Sequence, residues 1–481
     1  MLILAAFVML AGQAWALDLP VKRIKGKQYY YHKVKKGESL YGVSKQLGLS
    51  IDEIIESNPE AANGIGKGDI LVFPFERYAP VETPAAETMP VQTEAEPVAE
   101  EEEQVQKKPA IAILLPFGLN ASTPTRTNNL ALDFYKGVLI AADSLRNAPG
   151  EIEIISRDIE GLNTQEIRDM IAADTRLSSA AVVIGPEDDD ALRAIADAAS
   201  ANDTYVLNVL NTRDSLYQTN RYVLQANVPQ RQMYRLAVDA LMHDFEGYRP
   251  VILRSATGRN DRMAFTAYLT ERYREQGVEP IVIEYQTNLL NADMDALPVA
   301  ASEKYVVVPS DGSISEFNRF SHTLRAFRDR LKAQAFEVDD DSTLLAPAEG
   351  AAIEVFGYPD WTAFRGEALD MLHKLGATVY SRFFEDFDGF SVKNIASDFK
   401  YWFGTPMLTS IPDYGVLGFD TATYLIKNIR QHRGAYTPQT AVPYSGIQST
   451  FDFVPSGDGY VNNSIYIITY LASGRLAAKV Q

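Results

Sequence analysis

Residues 79–108 divide the chain into two parts that have to fold separately. The stretch reads APVETPAAETMPVQTEAEPVAEEEEQVQKK and has almost no side chain that could be buried in a core. Such a composition cannot offset the entropy lost on folding, and proline and like charges keep a chain extended. We therefore predict a disordered acidic linker between a small head and a body of residues 109–481.

The chain begins with an apolar run of 16 residues that ends in Ala14-Trp15-Ala16. This small-x-small ending is typical of a signal peptidase site, and the run is shorter than the roughly 20 apolar residues of a membrane span. We predict a signal peptide at residues 1–16 and export to the periplasm or cell wall. No Lys or Arg precedes the run, so whether this start is complete stays open.

Composition excludes several classes of function. The chain has no cysteine, which excludes a cysteine-linked lipid anchor, disulfides and a thiol nucleophile. Its net charge of −18 is opposite to what binding of nucleic-acid phosphates requires.

The body alternates short apolar runs with amphipathic stretches, the pattern of strands and helices in a parallel α/β sheet. Ile111–Leu115 is apolar throughout, as expected for a strand that is buried on both faces. We predict two doubly wound lobes, the first from about residues 109–228 and 383–450, and the second from about 229–382, with C-terminal strands shared between them. Predicted strands lie at 111–115, 152–155, 181–184, 205–209, 250–254, 280–285, 304–308, 351–356, 447–453 and 464–471. Predicted helices lie at 129–146, 163–174, 190–201, 231–245, 260–276, 314–333, 361–375, 391–403 and 418–430.

The head contains YYYHKVKKGESLYGVSKQLGLSIDEIIESNPEAANGIGKGDILVFP, which resembles the LysM family over its full length. Tyr31–Val34 matches the first strand, a helix begins at Leu40, Asn58-Pro59 ends the second helix, and Ile70–Phe73 is the returning strand. The resemblance implies a small βααβ domain at residues 29–75 that binds peptidoglycan through its N-acetylglucosamine-containing glycan.

By the same resemblance, the glycan lies in a groove between the turn after the first strand and the loop after the second helix. In this sequence these are Lys36, Gly37, Glu38, Ser39, Leu40, Asn58, Pro59, Gly64, Ile65 and Gly66. An equally strong alternative is that Gly37, Asn58 and Pro59 only form turns and that Ile65 only fills the core, because such residues dominate turns and cores in general.

The body resembles type 1 periplasmic binding proteins, which close two lobes on a ligand. The resemblance rests on the order of Ile111–Pro116, Val183-Ile-Gly-Pro186, Tyr205–Asn211, Val306–Ser310 and Gly418–Ala422. Ligands of open α/β sheets bind beyond the carboxyl ends of the strands. The predicted cleft residues are Phe117, Asn120, Gly185, Pro186, Asn211, Tyr358 and Trp361. The two aromatic side chains are suited to stacking on a ligand, with packing in a core as the alternative.

The acidic turn after Pro186 bears on the class of ligand. It reads Glu187-Asp-Asp-Asp190, which would repel a carboxylate, so a simple amino-acid ligand is not expected. The alternative is that these acids cap the following helix and interact favourably with its dipole.

Catalytic signatures are missing from the sequence. The five histidines are scattered, with no zinc-binding pair at i,i+4, and no nucleophile elbow or phosphate-binding loop occurs. We predict a non-catalytic protein without metal or cofactor, whose body binds a small ligand or a wall-synthesis protein such as a peptidoglycan synthase. The alternative is a wall glycosidase that LysM directs to its substrate, since two carboxylates suffice for that chemistry.

Overall fold

The computed structural model describes the head from residue 21 to 74 with gaps at 25–26, 36–37, 39, 48, 50, 60, 62–63 and 67. It describes the body at 108–146, 150–213, 215–295, 297–298, 304–334, 352–384 and 390–481. The predicted signal peptide and residues 79–107 of the predicted linker lie outside the described residues.

The head is a three-stranded antiparallel sheet with two helices inserted between its second and third strands. The elements are β1 (Val21–Ile24), β2 (Lys27–Lys33), α1 (Leu40–Leu47), α2 (Ile51–Ser57) and β3 (Ile70–Pro74). Tyr30 and Phe73 are directly opposite each other on β2 and β3, and both are buried with Val43 and Ile54. Strand β1 extends the expected βααβ unit and pairs with β2.

The first lobe is built on a seven-stranded sheet in the order β16-β17-β8-β7-β6-β4-β5. All neighbours are parallel except β16 and β17, which form an antiparallel pair at one edge. Its strands are β4 (Ala110–Leu115), β5 (Glu153–Asp158), β6 (Val182–Ile184), β7 (Tyr205–Asn208), β8 (Val223–Gln225), β16 (Phe453–Ser456) and β17 (Gly459–Asn462). Its helices are α3 (Arg126–Ser144), α4 (Thr164–Ala173), α5 (Thr175–Ser178), α6 (Asp189–Ser200), α12 (Phe390–Phe403) and α13 (Tyr414–Gln431).

The second lobe has a seven-stranded sheet in the order β10-β9-β11-β12-β13-β18-β19. The first five strands are parallel, and β18 and β19 add antiparallel pairs at the other edge. Its strands are β9 (Arg249–Ser255), β10 (Ile281–Tyr285), β11 (Lys304–Pro309), β12 (Ala352–Gly357), β13 (Thr378–Ser381), β18 (Tyr466–Tyr470) and β19 (Leu476–Val480). Its helices are α7 (Gln230–Asp244), α8 (Met263–Glu275), α9 (Asn291–Met294), α10 (Ile314–Gln334) and α11 (Glu367–Leu375). A short ribbon of β14 (Tyr444–Ser445) and β15 (Thr450–Phe451) precedes β16.

Each sheet is buried between helices, which explains the continuous apolar runs. Every residue of β4 is buried, as is every residue of β13. The α/β class with two doubly wound lobes is therefore confirmed.

The chain crosses between the lobes three times. The first crossing follows β8 and reaches α7, the second follows β13, and the third joins β17 to β18. Side chains bind the crossings to one another: Arg382 Nε donates to the carbonyl of Val228 at 2.8 Å, and Asn462 Nδ2 donates to that of Ala226 at 3.0 Å. Side-chain hydrogen bonds therefore join the crossing segments, and we call this junction between the lobes the hinge.

Candidate functional site

Glu38 holds the turn that follows the first long strand of the head. Its Oε2 lies 2.9 Å from His32 Nε2 and accepts the N–H of Lys35 at 2.6 Å. Burial alone would raise the pKa of Glu38, but these two partners together lower it. The carboxylate thus faces the protein and positions the turn. Lys36, Gly37 and Ser39, which were predicted to contact glycan, lie outside the described residues.

The second side of the predicted groove is held by Asn58. Its Nδ2 donates to the carbonyls of Ile54 and Val72, both at 3.0 Å, and its Oδ1 accepts the N–H of Val72 at 2.7 Å. The side chain therefore joins the end of α2 to β3, and both its amide nitrogen and its amide oxygen form hydrogen bonds inside the domain.

The other predicted glycan residues divide by exposure. Leu40 and Ile65 are buried in the core of the head, whereas Pro59 and Gly66 are exposed. Gly64 has a φ of 115°, which a residue with a side chain rarely adopts. Among the predicted groove residues that the structure describes, Pro59 and Gly66 are therefore the exposed ones.

In the first lobe, the predicted cleft residues Phe117 and Asn120 follow β4. Asp158, at the end of β5, accepts the N–H groups of Phe117, Gly118 and Leu119 at 2.7–3.2 Å. Burial opposes ionisation of Asp158, but the backbone N–H groups that it accepts lower its pKa. The Phe117 ring is buried against Tyr135, and Asn120 is exposed at the strand end.

Asn211 is hydrogen-bonded to the acidic segment that follows the Gly185-Pro186 turn, beyond β6 and β7. Asn211 Nδ2 donates to the carbonyl of Glu187 at 2.6 Å and also to Asp189. Asp188 accepts the N–H of Ala191 and caps α6. The Asn211 side chain is buried, and its amide group is hydrogen-bonded within the protein. Asp188 caps the helix, which is the alternative given above for the acidic turn.

In the second lobe, Tyr358 and Trp361 are both 0 % exposed. The Tyr358 hydroxyl donates to the carbonyl of Pro309 at 2.5 Å, and Trp361 Nε1 donates to that of Gly312 at 3.1 Å. Both rings pack among Phe265 and Phe317. Neither has a face free for a ligand, so core packing, the alternative that the sequence left open, describes them. Their polar atoms bind the last residue of β11 and the loop that follows it.

Arg262, which sequence reasoning did not select, lies at the same end of the second sheet. Its guanidinium is 5.4 Å from the centre of the Tyr358 ring and 2.5 Å from Asp360. A Cβ on Gly312 would lie 3.0 Å from Arg262 Nε, so the absence of a side chain at Gly312 leaves room for the guanidinium. The sequence gives no signal for Arg262, because its partners lie in two other segments, Tyr358 and Asp360 after β12 and Gly312 after β11.

A groove of about 1260 Å³ lies between the lobes beside the hinge. The first lobe contributes Arg213 and Tyr217, and the second contributes Arg231, Tyr234 and Tyr268. The volume exceeds the 300–1,000 Å³ that is common for small-ligand sites. Aromatic rings, cations and amides together suit a polar ligand with flat faces. None of the predicted cleft residues lines this groove.

The described ranges contain neither a cluster of metal-ligating side chains nor a membrane-spanning helix. There, no three His, Cys, Asp or Glu side chains come together in a group that could hold a metal ion. No helix in those ranges has the length and apolar character needed to cross a membrane.

Comparisons with known proteins address the two parts separately. Residues 32–72 match the model of the LysM domain. No curated protein matches the chain. A putative branched-chain amino acid ABC transporter protein from Rhodospirillum rubrum has a similar structure, with 12 % identity, a TM-score of 0.48 and coverage of 78 % of this chain and 100 % of that one.

Two further solved structures are similar over the same share of this chain. LivJ, the branched-chain amino acid substrate-binding protein from Streptococcus pneumoniae in complex with isoleucine, has 14 % identity, a TM-score of 0.35 and coverage of 78 % and 99 %. Full-length LpoA from Haemophilus influenzae has 14 % identity, a TM-score of 0.45 and coverage of 78 % and 59 %. The chain thus matches the LysM domain model at residues 32–72, and this segment is followed by a body of two α/β lobes, each built on a seven-stranded sheet.

Proposed function

We propose that the protein is a non-catalytic receptor of the cell wall. Its LysM domain binds the N-acetylglucosamine-containing glycan of peptidoglycan, and its body binds a small ligand between the lobes. The observation that carries the second part is the groove beside the hinge, because both lobes supply its walls. A ligand held there contacts both lobes and stabilises one angle between them.

The residues of the groove indicate the class of ligand. Arg213 and Arg231 are exposed at its walls, and neither forms an ion pair with any residue that the structure describes. Tyr234 and Tyr268 are half-buried and present ring surface. Glu271 and Glu275 also line the groove, so this combination supports a polar ligand with a flat face and charges of both signs, such as a muropeptide.

The proposed location is outside the cytoplasm, in the periplasm or on the wall. A LysM domain is useful only where glycan strands occur, and the apolar start of the chain has the pattern of a signal peptide.

Thermal melting of residues 109–481 with purified muropeptides and metabolites tests the receptor proposal. A ligand that binds only the native state raises Tm. The Tyr268→Ala variant should lose this rise, whereas Tyr401→Ala, which changes an exposed tyrosine outside the groove, should retain it. If the ligand raises the Tm of the Tyr268→Ala variant as much as that of the wild type, the ligand binds outside the groove.

A second candidate, contact with a wall-synthesis protein, is favoured by one surface. Tyr401 is 80 % exposed and Trp402 is 50 % exposed at the end of α12, and Leu408 and Ile411 are exposed in the following loop. Exposed aromatic clusters are typical of protein interfaces. A photo-crosslinker in place of Trp402 should capture a peptidoglycan synthase in cells if this second function holds, and no crosslinked synthase if it does not.

A further inference from the structure

Strand β19 lies at one edge of the sheet of the second lobe. It pairs with β18 on one side, and no strand lies on its other side in the described part of the chain. Four of its five residues are exposed, Val480 by 41 %, and Leu476 is half-buried. A free edge of this kind presents a row of unpaired N–H and C=O groups, with which another strand can pair.

The backbone groups of β19 point alternately toward β18 and toward the free edge. Gln481 N–H donates to the carbonyl of Ile465 at 2.8 Å, and Ile465 N–H donates to that of Gln481 at 3.1 Å, so Gln481 faces β18. Because successive residues of an antiparallel pair alternate in this respect, Leu476, Ala478 and Val480 direct their backbone groups outward. Each of the three offers one donor and one acceptor to a further strand.

Charge does little to protect this edge. Lys479 is the only charged residue of β19, and it forms an ion pair with Asp244 of α7 in the same lobe. The edges of the first sheet differ, since β16 contains Pro455, which has no N–H, and β5 contains Glu153 and Arg157. Strand β10, at the other edge of the second sheet, is exposed on one face only, whereas β19 is exposed on both.

The sequence of β19 is suited to pairing with itself. An antiparallel pair centred on Ala478 places Leu476 opposite Val480 of a second copy. Ala477 then lies opposite Lys479 of that copy. The outward backbone groups meet as hydrogen-bonded pairs, because the central residue is itself one that faces outward. Apolar side chains oppose each other and like charges are not directly opposite, which favours cross-strand pairing.

We propose that two copies of this chain pair through β19 as a homodimer, with Ala478 at the two-fold axis. The two sheets continue into one another, and main-chain hydrogen bonds supply the affinity, as in other cases of strand addition. The symmetric pair uses the free edge of both copies and therefore stops at two. The dimer does not depend on the proposed function. Where that function holds, two linked LysM domains raise the overall avidity for glycan.

Disulfide crosslinking of the full chain tests this register. The chain has no cysteine, so a disulfide in a single-cysteine variant joins two copies. Ala478→Cys should give a crosslinked dimer on mild oxidation, because the Cα atoms of a hydrogen-bonded pair lie about 5.5 Å apart, a distance that disulfides span. Leu476→Cys is the matched control and should not crosslink, because its two copies are offset by about 14 Å along the strand. Absence of crosslinking by Ala478→Cys, or equal crosslinking by Leu476→Cys, would overturn the proposal.

Sedimentation velocity of the full chain at increasing concentration gives a second measurement. The wild type should approach twice the mass of one chain. Ala478→Pro removes an outward N–H and leaves the ladder to β18 intact, so this variant should keep the mass of one chain. Val282→Pro, the matched change on the edge strand β10, should dimerise like the wild type. A wild type that stays at the mass of one chain would refute the dimer, and loss of dimer in Val282→Pro alone would assign it to β10.

Discussion

Asp420 is a fully buried carboxylate on α13. Burial raises its pKa from 3.8 to about 6, against the opposing effect of the three N–H groups that it accepts. Since the folded-state pKa lies above the unfolded one, its contribution to stability is complete below about pH 4 and is lost as the pH rises through about 6. Over this window the free energy of unfolding should fall by about 3 kcal/mol from this group.

Urea unfolding of the wild type and the Asp420→Asn variant between about pH 4 and about pH 7 measures this contribution. The stability advantage of the wild type over the variant should be largest at the acid end and shrink toward neutral pH. An advantage that does not change with pH would contradict the assigned pKa.

Asn58 is expected to be structural even though it lies in the predicted glycan groove. Asn58→Ala removes three hydrogen bonds and leaves both backbone groups of Val72 without their partner, which should cost about 1–3 kcal/mol. Hydrogen exchange of the full chain should show faster exchange throughout β3. Pro59→Ala, at the exposed neighbour, should leave exchange unchanged. If Asn58→Ala weakens glycan binding with exchange in β3 unaltered, Asn58 contacts the glycan directly.

Single residues show where sequence reasoning reaches its limit. The pattern of the head identified the turn around Glu38, but the pairing of Glu38 with His32 depends on the bend of the chain. Tyr358 and Trp361 do follow a strand, yet the sequence cannot tell whether an aromatic ring faces a cleft or the core. That choice depends on the end of β11 and the loop after it, where the carbonyls of Pro309 and Gly312 accept hydrogen bonds from Tyr358 and Trp361.

At the scale of elements, α3 and α13 touch through glycines. A Cβ on Gly418 would lie 2.0 Å from the carbonyl oxygen of Phe134, and one on Gly137 would lie 1.9 Å from that of Gly415. The two helix backbones are therefore in direct contact, and the glycines permit it. A Cβ on Gly415 instead meets Met407 Sδ at 2.4 Å, the end of a flexible side chain.

Gly418→Ala should therefore destabilise the first lobe more than Gly415→Ala. The first substitution forces two helices apart and should cost about 1–3 kcal/mol or more, whereas the second requires a shift of Met407 and gains helix propensity. Thermal unfolding of residues 109–481 provides the comparison. Equal losses for the two variants would contradict the close helix contact.

Elements marked by an apolar run were predictable, including the short strands β6 and β7, whereas other short elements were not. The run from Ile111 to Leu115 identifies β4 because burial on both faces demands apolar residues throughout. Strands β8 and β13 are as short as β6 and β7, but Gln225, Thr378 and Ser381 leave them without a continuous apolar run. The helix predicted at 361–375 is a 3₁₀ turn followed by α11, because Gly366 between them has a φ of 58°.

At the scale of the whole molecule, the division of the chain into head and body follows from composition alone. The matched LysM residues and the two sheets fall on either side of the predicted linker. The site in the body could not be predicted in the same way. The groove is formed by segments from both lobes that are distant in sequence, so only their folded arrangement brings them together.

Sedimentation with insoluble peptidoglycan tests the central claim, that the head anchors a body which does not itself bind the wall. The full chain and residues 109–481 are each incubated with purified sacculi, and the bound fraction is measured. The full chain should sediment with the sacculi, whereas the isolated body should stay in the supernatant. Equal sedimentation of the isolated body would contradict the claim.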